Sequence, residues 1–493
     1  MNRITTFILL ATVSTGLYLT ACDNDDPVKF NDVEVKNAEL KAILLTQGYT
    51  FNEAGQLVLD DKAQNTKTLD LSGTKISDLS GLDVLPNLTE VDLSDNDYGP
   101  VFDFSSLPAQ ITAIDLTGNK IFDFEGLVDA KVENDEVKTT ILRPLTKLYL
   151  PESAKWNVED LMPFYTENKA NGIQVDMQMQ DASGNLQVYT TLREIPDPYF
   201  RAYLKTRFAS LFPDEGTQID ISRPMALAEQ GSNIYLSSPN DFADIARIES
   251  IEGVEYFVNN PFYNPFIVFV QYAYETPFTV SYLSPRANIK SLRLTTVSTP
   301  DGIDLSRATS LASFIMGDND YLSELDLSNT LVFNQQASDM ESTIIGNGLE
   351  LTHCQNLKTI QFPEKAEGIV WILKLGDLPA LEELDLSFVY AAQDLFLMQL
   401  PKCNITYPDL KYRFNGGKKQ LEDLSIDTRV NFAITQDVFD MASTKAFITK
   451  YRFPNPDDPD QKPENDIFFL NDKYRTYQTE FGTIRWSQLI KQS

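Results

Sequence analysis

A single histidine, His353, serves all 493 residues, and this scarcity removes most nucleophilic triads and histidine-ligated metal centres from consideration. Its neighbour is Cys354, but adjacent side chains on an extended segment point to opposite faces, which disfavours a Cys-His dyad. Cysteine is nearly as rare. Of the three, Cys22 lies in the N-terminal segment, leaving Cys354 and Cys403, too few to build a disulfide scaffold. Whether those two pair is open at this level, since bridging depends on the distance between their Cα atoms. Glycine-rich phosphate loops and cysteine metal clusters are absent. Positive charge is also short: 41 Lys and Arg face 71 Asp and Glu, a net charge of −30. Phosphate backbones and anionic membrane surfaces are therefore poor electrostatic partners, and nucleic acid is not an expected ligand. The same acidity also serves plain solubility.

What is present begins with "MNRITTFILLATVSTGLYLTAC", which has a basic Arg3, an apolar run over about residues 7–18 and then Cys22. The run falls short of the roughly twenty residues a membrane-spanning helix needs, and the pattern is that of a targeting segment. It resembles a bacterial lipoprotein signal (residues 1–21), which implies lipidation of Cys22 and membrane attachment through that lipid. The acidic "DNDDPVKF" that follows, within a tether of residues 22–32, resembles the export signal of Bacteroidetes-type surface lipoproteins. The implied place is the outer membrane, exposed at the cell surface, with a periplasm-facing anchor as the alternative.

The body of the chain repeats itself. "LTEVDLSDN" (Leu88 to Asn96) and "ITAIDLTGN" (Ile111 to Asn119) share one pattern, with Leu69/Leu71 before and Leu148/Leu150 after. A fixed step near 22 marks an array in which each unit buries its apolar face only against its neighbours. Alternation sends Val91 and Leu93 inward and Glu90, Asp92 and Ser94 outward, while the Asn is placed to satisfy backbone groups at the turn. This pattern resembles leucine-rich repeats of the internalin type. From Ile289 the interval halves to about eleven, through Leu292/Leu294, Ile303/Leu305, Phe314/Met316 and Leu325/Leu327, then with slips to Leu384/Leu386. That section is similar to the variant repeats of Bacteroides surface proteins, in which two strand-like segments per coil face opposite sides. Cys354 stands where the ladder usually takes Asn and reads as structural. "VEVKNAELKAILL" and "REIPDPYFRAYLK" resemble the helical N-terminal caps of such arrays. The expected fold is a β-rich leucine-rich repeat solenoid in two tandem capped arrays, residues 33–191 and 192–447, followed by a C-terminal loop and cap, 448–493.

The resemblance implies an open binding surface, and its activity is expected to be non-enzymatic, with no cofactor. Two carboxylates suffice for a glycosidase, so the sequence leaves that chemistry open. In the second cap "FPDEGTQIDIS" offers Asp214, Glu215 and Asp220, too few and misplaced for a calcium loop, so no metal is expected. Asp92, Asp115 and Asp326, with Asp70, Asp304 and Asp385, form acidic stripes that either attract a basic protein segment or are common filler of the repeat. Near residues 260–285 dense aromatics alternate from Phe266 to Tyr274, "ETP" turns the chain and "FTVSYL" returns, which predicts an inserted hairpin. Its Tyr272, Tyr274 and Tyr282 either seal a flank or form a recognition patch for a protein or a glycan. The expected function is a surface-anchored protein that binds a protein ligand; the alternative is a glycan-binding accessory lipoprotein of a polysaccharide-capture system.

Overall fold

The computed structural model describes residues 32–213, 216–223, 233–262, 266–270, 276–333, 348–363, 368–414, 421–423, 430–452, 460, 466–469, 476–479 and 482–485. Cys22, Asp214, Glu215, Tyr272 and Tyr274 lie outside them.

The repeat of about twenty-two residues brings each short strand back beside its predecessor, parallel and in register. Thr68–Asp70, Glu90–Asp92, Ala113–Asp115, Lys147–Leu150 and Asp176–Gln180 form one sheet, closed by the antiparallel Leu186–Val188. Leu69, Val91, Ile114, Leu148 and Met177 are successive partners in that register and all are buried. Each side chain of the column covers the next, so burial rather than strand length holds three-residue strands together.

Asn96 and Asn119 stand where each strand turns away. The amide of Asn96 donates to the carbonyls of Leu71, Leu93 and Ser94 at 3.0, 2.9 and 3.1 Å, and its Oδ1 accepts from the Lys75 N–H at 2.7 Å. Asn119 repeats the arrangement one coil on, donating to Leu93, Leu116 and Thr117 and accepting from Tyr98 N–H. The residue just before each Asn has positive φ: Asp95 at 52° and Gly118 at 74°. His353 occupies the equivalent turn in the second ladder, with φ of 53°, between Asp318 at 57° and Asp377 at 54°. Asn, Asp, His and Gly tolerate this left-handed conformation better than branched residues, which gives the lone histidine a structural reason to be there. Cys354, next to it, is buried and its Sγ lies 3.5 Å from the Thr352 carbonyl, in the Asn position of its coil.

The second ladder is longer. Ile234–Leu236, Phe266–Val270, Ile289–Leu294, Ser313–Gly317, Gly348–Thr352, Ile369–Gly376, Ala391–Met398 and Asn431–Ile434 pair parallel in sequence order. Behind them run short parallel pairs, Glu324–Asp326 with Thr359–Gln361 and Glu383–Asp385 with Asn404–Thr406. The aromatic stretch corrects the expectation of an inserted hairpin. Phe266–Val270 is an ordinary rung between Ile234–Leu236 and Ile289–Leu294, and Phe278–Thr279 pairs parallel with Val297–Ser298. Val268 and Val270 extend the inward column of the ladder, so the segment gains more burial as a rung than it would as a protruding hairpin. The chain does carry a hairpin elsewhere: Val128–Glu133 pairs antiparallel with Glu136–Ile141 through Asn134 and Asp135, both of positive φ.

Each ladder starts under a helix. Ala38–Thr46 buries Leu40 and Leu44, with Asn37 Oδ1 capping the Leu40 N–H at 3.0 Å. Pro198–Arg207 buries Phe200, Tyr203 and Leu204, and Asp197 caps it through the Tyr199 and Phe200 N–H groups. The two hydrophobic cores part between Tyr189, which belongs to the first, and Ile195, which belongs to the second. Trp156, Val158 and Met162 come from the first segment of chain yet pack in the second core.

Candidate functional site

Two surfaces stand out, and both are positioned by the first sheet. Its outward face is open. Ala113 has no side chain beyond Cβ, so Lys147 reaches across it and donates to Glu90 Oε1 at 2.7 Å. The same ammonium lies 4.4 Å from the centre of the Tyr149 ring. Tyr149 Oη donates to Asp176 Oδ2 at 2.7 Å and accepts from Gln178 Nε2 at 3.1 Å. The hydrogen bond to Asp176, aided by burial, pushes the Tyr149 phenol up to about 12. Three strands are thus tied by one chain of polar contacts that passes over a fourth at Ala113, a surface arranged before any ligand arrives.

The acidic stripe joins this face. Asp92 and Asp115 sit in register on adjacent strands, and Asp70 precedes them. In each case Oδ1 accepts the N–H two residues on: Ser72 for Asp70, Ser94 for Asp92 and Thr117 for Asp115, all at 3.0 Å. Asp304, Asp326 and Asp385 do the same for Ser306, Ser328 and Ser387 at 2.8 Å. One oxygen of each carboxylate therefore shapes the turn. Asp326 and Asp385 lie on the short back strands of the second ladder, away from Asp92 and Asp115, so the six do not form one patch. The main sheet of the second ladder offers less outward surface, since its outward positions Ile315, Phe396, Ser313 and Asn431 are buried.

The second surface is a cleft of about 380 Å³ where the C-terminal ends of the first sheet's strands meet residues 250–301. Phe122, Trp156 and Tyr282 line it together with Lys120, Lys155, Glu152, Glu252, Glu255 and Asp301. Tyr282 is the one described residue of the three tyrosine candidates. It is only 2% exposed, and its ring stacks on Phe122 across the seam between the arrays, 4.8 Å between centroids. Lys155 Nζ is held by Glu152 at 2.5 Å and Glu252 at 2.6 Å, and Lys120 Nζ by Asp301 at 2.6 Å. Glu255, in the first turn of the short helix Val254–Val258, accepts the Gly253 N–H at 2.8 Å and is pushed up to about 7 by burial. The Trp156 indole N–H is buried and finds no acceptor among the described residues.

Comparison with known proteins returns no matching family model and no matching curated protein. The chemistry must therefore be read from the residues. Burial pushes both free thiols, Cys354 and Cys403, up to about 12, so they are protonated and inert near neutral pH. His353 Nδ1 lies 3.8 Å from Asp318 Oδ1 in its turn. Asp220, the described member of the cap's acidic trio, spends Oδ1 on Ser222. Among the described residues no three His, Cys, Asp or Glu side chains are grouped to hold a metal ion, and no helix is long and apolar enough to cross a membrane.

Sequence reasoning passed over Tyr149, although Leu148-Tyr149-Leu150 places it in the same column as Asp92 and Asp115, and the same alternation rule finds it. Trp156 and Phe122 carry no periodic signal. Their place follows from the meeting of two arrays, which no local pattern encodes.

Proposed function

We propose that the chain is a lipid-tethered leucine-rich repeat protein of the outer membrane, exposed at the cell surface, that binds a protein partner without catalysing a reaction. On this reading the two ladders are tandem repeat arrays, each covered by its helical cap, and Cys22 carries the lipid. The observation that carries it is the open face of the first sheet. Glu90, Lys147, Tyr149, Asp176 and Gln178 are cross-linked there, so little side-chain freedom remains to be lost on binding. With Asp92 and Asp115 alongside, the surface is acidic around an aromatic centre, which suits a partner segment bearing Lys or Arg.

The test has two parts. Cys22→Ala is expected to move the protein from the detergent phase to the aqueous phase on partitioning; an unchanged distribution removes the tether. Tyr149→Ala is expected to weaken a captured basic partner about tenfold, roughly 1.4 kcal/mol, at an almost unchanged thermal melt. Equal binding by the variant removes the face as the site. A second reading, glycan binding, is favoured by one observation: the aromatic rings of Phe122, Trp156 and Tyr282 standing beside hydrogen-bonding groups in the cleft.

A further inference from the structure

We infer that the binding face of the first sheet continues onto its last strand, Leu186–Val188, and takes an extended peptide segment with a Lys or Arg four residues from a large apolar side chain. This rests on the reading of that face as the site of a protein partner. Register lays out the strip. Asp92, Asp115, Tyr149, Gln178 and Val188 are successive cross-strand partners, so their side chains share the outward face. Leu186 stands beside Gln180 in the next row of the same face. Val188, 77% exposed, is the most exposed large apolar side chain among the described residues, and Leu186 is also exposed. Apolar residues scattered singly over a surface need no explanation, but this pair continues a face that already carries Tyr149 and forms a patch with it.

The two ends of the strip ask for different chemistry. Asp92 and Asp115 each spend Oδ1 on their own turn, and the other oxygen takes no hydrogen bond from the described residues. Between the ends the polar groups are committed: Gln178 Nε2 donates to Tyr149 Oη and to Asp176 Oδ1, and Gln180 Oε1 accepts the Gly118 N–H at 2.8 Å. A partner complementary to both ends sets its cation over the aspartates and its apolar group over Val188 and Leu186. Spacing then fixes its shape. Asp115 and Val188 lie three strands apart, about 14 Å at about 4.8 Å per step. An extended segment crossing the strands covers that distance in about four residues, and residues four apart lie on one side of it. A helix needs about nine residues for the same span, and at about 3.6 residues per turn its two ends then point to opposite sides.

The experiment selects from a random dodecapeptide display library on the immobilised full chain, then titrates the enriched sequence as a labelled synthetic peptide by fluorescence anisotropy. Enriched peptides are expected to share a Lys or Arg and a large apolar residue four positions apart, in either order. Replacing that apolar residue by Ser is expected to weaken binding at least about tenfold. Val188→Ser, at an exposed position where the melt holds, is expected to weaken the unaltered peptide as much, and the two changes together no further. Enriched peptides that are basic but lack the apolar residue, and that lose binding on Tyr149→Ala, overturn the extension onto the last strand and leave the partner face standing. Peptides that bind the Val188→Ser variant and the unaltered chain equally also overturn it, including any that pair through their backbone with the free edge of that strand. If no peptide is enriched, or none loses binding in either variant, both readings fall together.

Discussion

Asn119 shows how much one side chain can hold. Its amide serves the Leu93, Leu116 and Thr117 carbonyls and its Oδ1 serves the Tyr98 N–H, all at a buried turn. Asn119→Ala strands those groups away from water, and a loss of about 2–4 kcal/mol is expected in a urea melt. Asp115→Asn, which retains an oxygen to accept the Thr117 N–H, is the mild control and should cost well under half as much. Asp160 makes a different kind of residue-scale statement. Burial, with Glu159 beside it, pushes its carboxyl from 3.8 up to about 8, and Asn157 donates to it at 3.1 Å. Because the folded value is raised, the stability linked to this group is whole below about 3.8 and is lost as pH rises through about 8. Glu255, pushed up to about 7, acts in the same direction. Asp70, Asp176 and Asp409 are lowered, chiefly by side-chain hydrogen bonds, so they act in the opposite sense, losing stability as pH falls; all are largely exposed, which keeps their weight small. Asp160→Asn is therefore expected to flatten stability between pH 6 and 9 and to add about 1–2 kcal/mol near pH 8. An unchanged slope with pH rejects that assignment. The Asn and Asp-x-Ser positions were legible from spacing alone, because each acts on backbone within its own or the preceding coil. Asp160 was not, since two of the charged groups around it, Asp123 and Arg286, come from distant parts of the chain.

At the scale of elements, alternation located strands well and their partners poorly. The Phe266 to Tyr274 pattern fits a hairpin arm and a parallel rung equally, because both have a period of two. Only the neighbouring strand decides, and Ile289–Leu294 offers a buried column that a free hairpin lacks. A hairpin elsewhere, Val128–Ile141, sits in the 34 residues separating Ala113 from its partner Lys147, where the repeat interval is visibly too long. Asn134-Asp135 between two alternating runs was its signal. The same change of partner revises the role of Tyr282, which now belongs to the seam. Tyr282→Ala removes a buried ring stacked on Phe122 and is expected to cost about 3–5 kcal/mol in a thermal or denaturant melt. A loss below about 1 kcal/mol means that the ring does not pack as described.

For the whole molecule the question is whether two arrays make one body. Arg286, 3% exposed, donates to Asp123 Oδ1 at 2.9 Å and Glu159 Oε2 at 2.7 Å, and its other amino group meets the Ser284 carbonyl and hydroxyl. Arg307 adds Glu159 at 3.0 Å and Glu125 at 3.2 Å. Every one of these carboxylates lies before residue 192 and both arginines after it. Arg286→Ala leaves Asp123 buried without its charge partner, and about 3–5 kcal/mol is expected to be lost, with the single melt splitting into two. The repeated cap places a division at residue 192; Tyr189 packs in the first hydrophobic core and Ile195 in the second. What the caps did not reveal is that Trp156, Val158 and Met162 complete the second core. A fragment starting at residue 192 is accordingly expected to melt lower and to aggregate on size-exclusion, and one starting at residue 152 to recover part of the loss. Identical behaviour of the two fragments removes the shared core.

The Val128–Ile141 hairpin shows that a coil can lengthen on its far side while Ile114 and Leu148 stay in register. The ladder reads only where its strands return, so chain added at Asn134-Asp135 is invisible to it. That tip is a port for an epitope tag, and antibody staining of intact cells at this one site tests the proposed exposure at the cell surface.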